Sequence, residues 1–247
     1  MYLLYNQYAQ LKLNQDIVDS PFIMQNFTKI GKKIVAIGRN FSEHAKELGN
    51  AVPTSPFFFL KPTSSYLLSG GEVEIPKGCV VNHEVELGVI IGKDGRDIRE
   101  SEAMDYVEGY ALGIDMTARN LQEVAKKKGL PWSAAKGFDT FTPIGEFIPK
   151  SEIKDPHDVN IWLKLNEEMK QNGTTKDMVF KIPTLIEHVS SIMKLERGDL
   201  ILTGTPSGVG AIHPGQVITA GLNVSDKSLS TIKFSVVERV GLFEFKP

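Results

Sequence analysis

The chain has 247 residues, a formal net charge of −2 and an ordinary soluble composition, 41% hydrophobic and 23% charged. It is long enough to bury one large core, and its scattered basic residues leave no nucleic-acid or membrane footprint. The single cysteine, Cys79, excludes an intrachain disulfide and a cysteine zinc site and fits a reducing compartment, while no apolar run approaches the ~20 residues of a membrane span.

Residues 1–30 carry Lys12 and Lys29 against Asp16 and Asp19 and no arginine, unlike a transit peptide or a secretory signal. They read as an N-terminal extension of unassigned role ahead of one domain over residues 31–247. Lys33 to Ile37 is a predicted strand running into Gly38-Arg39-Asn40. Ser42 suits the N-cap of a short helix from Glu43 to Leu48 closed by Gly49, with His44 and Glu47 on one face. Phe57 to Leu60 reads as a buried strand with Lys61 at its exit, Gly70-Gly71 as a turn, and Val73 to Pro76 as a further strand.

Val80 to Gly92 reads as one half-buried strand, with Val85, Leu87, Val89 and Ile91 on one face and Glu84 and Glu86 on the other. After a turn at Gly92–Gly95, an apolar run from Gly109 ends at Asp115. Thr117 is the predicted N-cap of the next helix, whose last turn holds Lys126, Lys127 and Lys128 before Gly129, where they complement the helix dipole. Gly129 to Gly137 reads as an irregular loop, and Asn160–Leu165 with Met169–Gln171 as a hairpin whose Asn166-Glu167-Glu168 connection fits a two-residue turn poorly. Pro183 to Lys194 is a predicted amphipathic helix with Leu185, Ile186, Val189, Ile192 and Met193 apolar; Asp199 to Thr203 is a strand, and the strands within Gln216–Phe245 close the sheet. Many short strands with few helices predict a β-rich α+β fold.

Four groups of residues invite a chemical reading. Glu84 and Glu86 side by side repel unless a cation or a proton intervenes, and Asp115 adds a third hard oxygen donor. Such a set favours magnesium, manganese or calcium over zinc and leaves about three octahedral positions open; the bland reading is a solvated polar stripe. In His44 with Glu47 the carboxylate can raise the basicity of an imidazole that takes a proton from water, against a solvated helix face. Arg119 and Gln122 on one helix face, with Lys136 in the loop beyond, would suit a carboxylate or an oxyanion, against plain surface residues. Leu202–Gly210 lacks the Gly-Lys-Ser/Thr ending of a phosphate loop; it reads as a strand turn, or as one offering backbone N–H groups and the Thr205 hydroxyl to a ligand carboxylate. His83, His157, His188 and His213 receive no role.

The ordered strings GRNFSEHAKELG, FFFLKPTSS, NHEVELGVIIG, YALGIDMTARNLQ, KGLPWSAAKGFDTFTPIG and LTGTPSGVG resemble the fumarylacetoacetate hydrolase superfamily, and within it the small acylpyruvase and oxaloacetate decarboxylase branch. The resemblance is collinear from about Lys32 to the end. It implies a mixed β-roll with a barrel-like core and short flanking helices, a homodimer, and a mitochondrial location with cytoplasm as the alternative. It also implies metal carboxylates at Glu84, Glu86 and Asp115 holding Mg2+ or Mn2+. A water-activating dyad would fall at His44 and Glu47, and substrate contacts at Arg119, Gln122, Lys136 and Thr205 with Arg39 and Lys61 as neighbours. One departure is Phe41, where a tyrosine is frequent.

On this resemblance the chain is expected to be a magnesium-dependent hydrolase of acylpyruvates such as acetylpyruvate and fumarylpyruvate. His44 with Glu47 would activate the water, Lys136 would stabilise the oxyanion, and the metal would stabilise the departing pyruvate enolate. Oxaloacetate decarboxylation, a lyase reaction, shares that enolate. The alternatives are oxaloacetate keto–enol tautomerisation, an isomerase reaction on the same site, and a non-catalytic protein binding metal and keto acid. A small β-dicarbonyl keto acid is the expected partner, with no nucleic acid and no membrane.

Overall fold

Short runs of β-branched and aromatic residues between glycine and proline breaks fold as strands in the computed structural model, which describes residues 24–42 and 53–246. In chain order the strands are β1 (Ile34–Ile37), β2 (Phe58–Lys61), β3 (Tyr66–Leu68), β4 (Glu72–Ile75), β5 (Val81–His83), β6 (Val85–Ile91), β7 (Val107–Ile114) and β8 (Thr117–Ala118). They continue as β9 (Thr142–Ile144), β10 (Ile148–Pro149), β11 (Asn160–Leu165), β12 (Glu168–Thr174), β13 (Leu200–Leu202), β14 (Gly210–Ala211), β15 (Val217–Val224) and β16 (Lys227–Glu238). Helices α1 (Phe27–Ile30), α2 (Arg119–Lys128), α3 (Ser133–Lys136) and α4 (Ile182–Ile192) flank them.

An eight-stranded sheet in the order β2-β1-β13-β6-β7-β9-β3, with β10 also on β7, curls into a half-barrel. A five-stranded sheet, β12-β11-β15-β16-β4, packs against it, and a small sheet β14-β5-β8 joins the end where the acids lie. The predicted β-rich α+β architecture is the one observed.

The inter-sheet core joins Val85, Leu87, Val89 and Ile91 of β6 to Ile161, Leu163 and Leu165 of β11 and to Ala220, Phe234 and Val236 beyond. A second core on the opposite face unites Ile90 with Ile34, Ala36, Ala111, Leu200 and Leu202, and is closed by Met24 and Phe27. Packing therefore begins inside the segment read as an extension, since both Met24 and Phe27 are buried.

Several expectations are corrected. The stretch Val80–Gly92 is not one half-buried strand: it breaks at Glu84 into β5 and β6, and β6 is buried at every residue because a core covers each face. The strand around Phe57–Leu60 is an edge of its sheet with Leu60 exposed, whereas Lys61 is the buried residue. Thr117 does not cap a helix; it lies in β8, and α2 starts at Arg119 without a side-chain cap. The loop Gly129–Gly137 contains α3, with Lys136 as its last residue. The β11–β12 hairpin does turn on two residues, because Asn166 and Glu167 both adopt positive φ, 46° and 68°. Ile192 ends α4 exposed. The predicted helix Glu43–Leu48, with its His44 and Glu47, and Gly49 lie outside the described residues.

Candidate active site and metal centre

Register brings the acids together. Antiparallel pairing of β6 with β7 sets Val85 opposite Ile114 and Glu86 opposite Gly113, and the Asp115 N–H donates to the Glu84 carbonyl at 2.8 Å. Asp115 therefore arrives beside Glu84 just where both strands break, 31 residues further along the chain. One oxygen from each of Glu84, Glu86 and Asp115 lies within 4.8 Å of the others, and all three side chains are buried.

Cations surround two of the three acids. Asp115 receives Lys61 Nζ on Oδ1 and Lys136 Nζ on Oδ2, each at 2.5 Å. Glu84 Oε2 receives the same Lys136 at 3.1 Å, and its Oε1 is paired with Arg119 and accepts from the Thr117 hydroxyl at 3.1 Å. Lys61 also donates to the Met116 carbonyl at 3.2 Å, and the Lys136 ammonium sits 4.8 Å over the Phe59 ring. Burial lowers the Lys61 pKa despite the pull of Asp115. Burial opposes the Lys136 charge too, but Asp115 and Glu84 outweigh it and raise the ammonium above its ordinary value.

Glu86 differs. Its carboxylate accepts the Gly204 N–H at 2.7 Å and makes no ion pair among the described residues. Burial first, then the facing Asp115 and Glu84, push its pKa well above the ordinary carboxylate range. The Gly204 N–H reaches it only because the backbone turns at φ 100°, where a side chain would be strained and its Cβ would stand 2.9 Å from that of Asn40. A buried carboxylate trio built only of hard oxygen donors, in which Glu86 has no cationic partner among the described residues, fits a divalent ion of the magnesium or manganese type.

A cavity of about 50 Å³ opens over the trio, lined by Arg39, Arg119, Gln122, Lys136 and Thr205 together with Phe59 and Trp132. Arg119 Nη1 donates to Gln122 Oε1 at 2.6 Å, which leaves the Gln122 amide NH2 as the end that can donate further; Arg119 Nε is buried without a partner among the described residues. Arg39 holds a left-handed φ of 57° beside Phe57, with its guanidinium carbon 5.6 Å from the ring centroid. That turn is pinned by Asn40, whose side chain donates to the Phe180 and Thr203 carbonyls at 3.0 and 2.9 Å and accepts the Phe180 N–H at 2.8 Å. The structure thus gathers Arg39, Lys61, Glu84, Glu86, Asp115, Arg119, Gln122, Lys136 and Thr205 at one place. Of the predicted site residues only His44 and Glu47 lie outside the described residues.

Sequence reading missed Thr117, Asn40, Gly204 and Gln171. Asn40 and Gly204 lie in strings already singled out, so adjacency was a usable signal. Gln171, in an alternating hairpin strand, reads as an ordinary solvent-facing polar residue.

The fumarylacetoacetate hydrolase C-terminal family matches residues 33–237. Among curated relatives, the mitochondrial oxaloacetate decarboxylase of Dictyostelium discoideum is 56% identical over 218 residues, covering 87% of this chain and 99% of its own length. A mitochondrial oxaloacetate tautomerase of Arabidopsis thaliana is 55% identical over 219 residues, covering 88% and 96%. Among solved structures, a yeast fumarylacetoacetate hydrolase family protein superposes with a TM-score of 0.83 at 36% identity, covering 90% of this chain and 100% of the other. The fumarylpyruvate hydrolase of Pseudomonas aeruginosa, solved with Mn2+ and pyruvate, gives 0.78 at 32% identity, covering 85% and 91%. Fold, family match and relatives agree that this chain belongs to the fumarylacetoacetate hydrolase family.

Proposed function

We propose that the chain is a mitochondrial oxaloacetate keto–enol tautomerase that uses a divalent ion, Mg2+ or Mn2+, and works as a homodimer. One observation carries the reading: a buried trio of carboxylates, with Glu86 in no ion pair among the described residues, under a cavity rimmed by Arg119, Gln122 and Lys136. The names of relatives at 55% and 56% identity support oxaloacetate as the substrate and mitochondria as the location. This replaces acylpyruvate hydrolysis as the leading activity, for which the support is a family-level neighbour at 32% identity.

Glu84, Glu86 and Asp115 would hold the ion. When bound it supplies Lewis acidity, polarising the keto oxygen of a chelating keto acid and making the adjacent C–H more acidic. Lys61 and Lys136 fix the Asp115 carboxylate from both sides, so its geometry is set before ligand arrives. Gln122, oriented by Arg119, donates its NH2 to the substrate carboxylate, and Arg119 Nε is a second donor for it. Lys136, carrying a full charge beside the cavity, is placed to hold a proton near the enol oxygen. The Phe59 and Trp132 rings give that side of the cavity an apolar wall.

Hydrolysis is the second reading, favoured by the His44-x-x-Glu47 pair in the sequence. Assaying enol-oxaloacetate, oxaloacetate, acetylpyruvate and fumarylpyruvate side by side, with and without Mg2+, separates the two. The proposal expects metal-dependent loss of enol-oxaloacetate to dominate; faster acylpyruvate cleavage, abolished by His44→Ala, would replace it with hydrolysis. Sedimentation as a monomer would remove the homodimer.

A further inference from the structure

We infer that Gln171, which no comparison and no motif marks, is a positioning residue for the active site and holds the Thr205 hydroxyl as a hydrogen-bond acceptor. Gln171 comes from β12, in the sheet opposite the acids, and is 1% exposed. Its Oε1 accepts the Val85 N–H at 3.0 Å and lies 2.8 Å from His83 Nδ1. Its Nε2 donates to Thr205 Oγ1 at 2.8 Å and to the Pro206 carbonyl at 2.9 Å.

The directions of these bonds are forced. A backbone N–H can only donate and a carbonyl can only accept, so Val85 and Pro206 together fix which end of the amide is oxygen. His83 Nδ1, facing that oxygen, must carry the ring proton, which leaves Nε2 bare; Nε2 has no partner among the described residues. Thr205 Oγ1, facing the NH2, must accept there and send its own proton to the Val85 carbonyl at 2.8 Å. All four hydrogen-bonding positions of the Gln171 amide are used, and the Thr205 proton is spent.

Thr205 lines the cavity, and with its proton committed to Val85 its Oγ1 has only a lone pair to offer a ligand there. It suits a ligand O–H, such as an enol hydroxyl or a water, and repels a carboxylate oxygen, the partner expected for it from sequence. The same amide clamps the backbone of Val85, between Glu84 and Glu86, to the Thr205-Pro206 turn. The enol as ligand rests on the tautomerase reading; the clamp does not.

The test is a double-mutant cycle on the full chain with Mg2+, using Gln171→Met, Thr205→Val and both together, followed by kcat and KM for enol-oxaloacetate. Each single change is expected to lower kcat about tenfold, the worth of one well-placed hydrogen bond, and the double variant to be no slower than either. Multiplying effects, or an unchanged kcat for Gln171→Met, would overturn the inference. Should Gln171→Met fail to fold, Gln171→Glu takes its place at pH 8, since it keeps an acceptor for Val85 and His83 but turns the Thr205 hydroxyl around. Independently of any activity, ring 15N shifts of His83 in the native protein are expected to show the Nδ1–H tautomer. An Nε2–H ring would overturn the clamp even in an active tautomerase, whereas the Nδ1–H ring in a protein inert toward oxaloacetate would reject the tautomerase reading alone.

Discussion

Strands β11 and β6 face each other across the inter-sheet core yet treat their polar residues in opposite ways. β11 alternates partly exposed and buried positions, so Trp162 and Lys164 reach the solvent side while Ile161, Leu163 and Leu165 fill the core. β6 has no solvent side, because Met24, Phe27 and their neighbours cover the face that β11 leaves open. A charge on β11 costs little. The carboxylate of Glu86 on β6 is held against both burial and two other acids, and this expense is one that folding alone gives no reason to bear. The difference separates a residue kept for solubility from one kept for chemistry.

The largest effect that would break this contrast is at Glu86. Glu86→Gln keeps an acceptor for the Gly204 N–H but removes a ligand and a charge; metal-dependent turnover should fall about a thousandfold or more. In metal-free buffer the same variant should be more stable by about 1–2 kcal/mol in urea unfolding, since it relieves the crowding of acids. Lys164→Gln on β11 is the matched control and should stay within about 0.5 kcal/mol of the native protein. A Glu86→Gln protein that lost stability without metal would remove the contrast.

Next in size is Lys136→Met. It leaves Asp115 and Glu84 each short of a cation, and metal-free unfolding should show a loss of about 3 kcal/mol, with turnover about a hundredfold lower. A smaller effect sharpens the comparison through pH. Because the folded-state pKa of Glu86 is raised, its contribution is most favourable below the ordinary carboxylate value and is lost as pH rises through the raised one. A divalent ion competes with that proton, so saturating Mg2+ should raise Tm more at pH 8 than at pH 5.5, and Glu86→Gln should abolish the difference.

The smallest effect lies outside the site. His157 Nε2 accepts the Ile182 N–H at the start of α4 at 3.1 Å, and burial followed by Lys181 lowers its pKa. Its stabilisation is complete above the ordinary histidine value and is lost as pH falls through the lowered one. His157→Ala should cost about 1 kcal/mol at pH 7.5 and less at pH 5 by chemical denaturation.

Much of this was legible in the chain. The three acids, Arg119, Gln122 and Lys136 could be picked out by residue type and spacing, and the strands by their short apolar runs. Burial was harder to read, because alternation in Val80–Gly92 resembles a strand with one wet face until the packing of Met24 and Phe27 is known. Lys61 was misplaced for the same reason: a lysine before a proline reads as a strand exit, and only the distant Asp115 explains why it turns inward. Thr117 looked like a helix cap because its alternative partner, Glu84, lies 33 positions away in sequence. Gln171 was illegible, since all its partners come from other elements. Contacts set by register and long-range packing leave no local pattern.

An anomalous-scattering map from crystals grown with Mn2+ tests the central claim most directly. The account predicts one manganese peak about 2.2 Å from an oxygen of each of Glu84, Glu86 and Asp115. A map with no peak among those carboxylates, or with manganese bound only elsewhere, would contradict it.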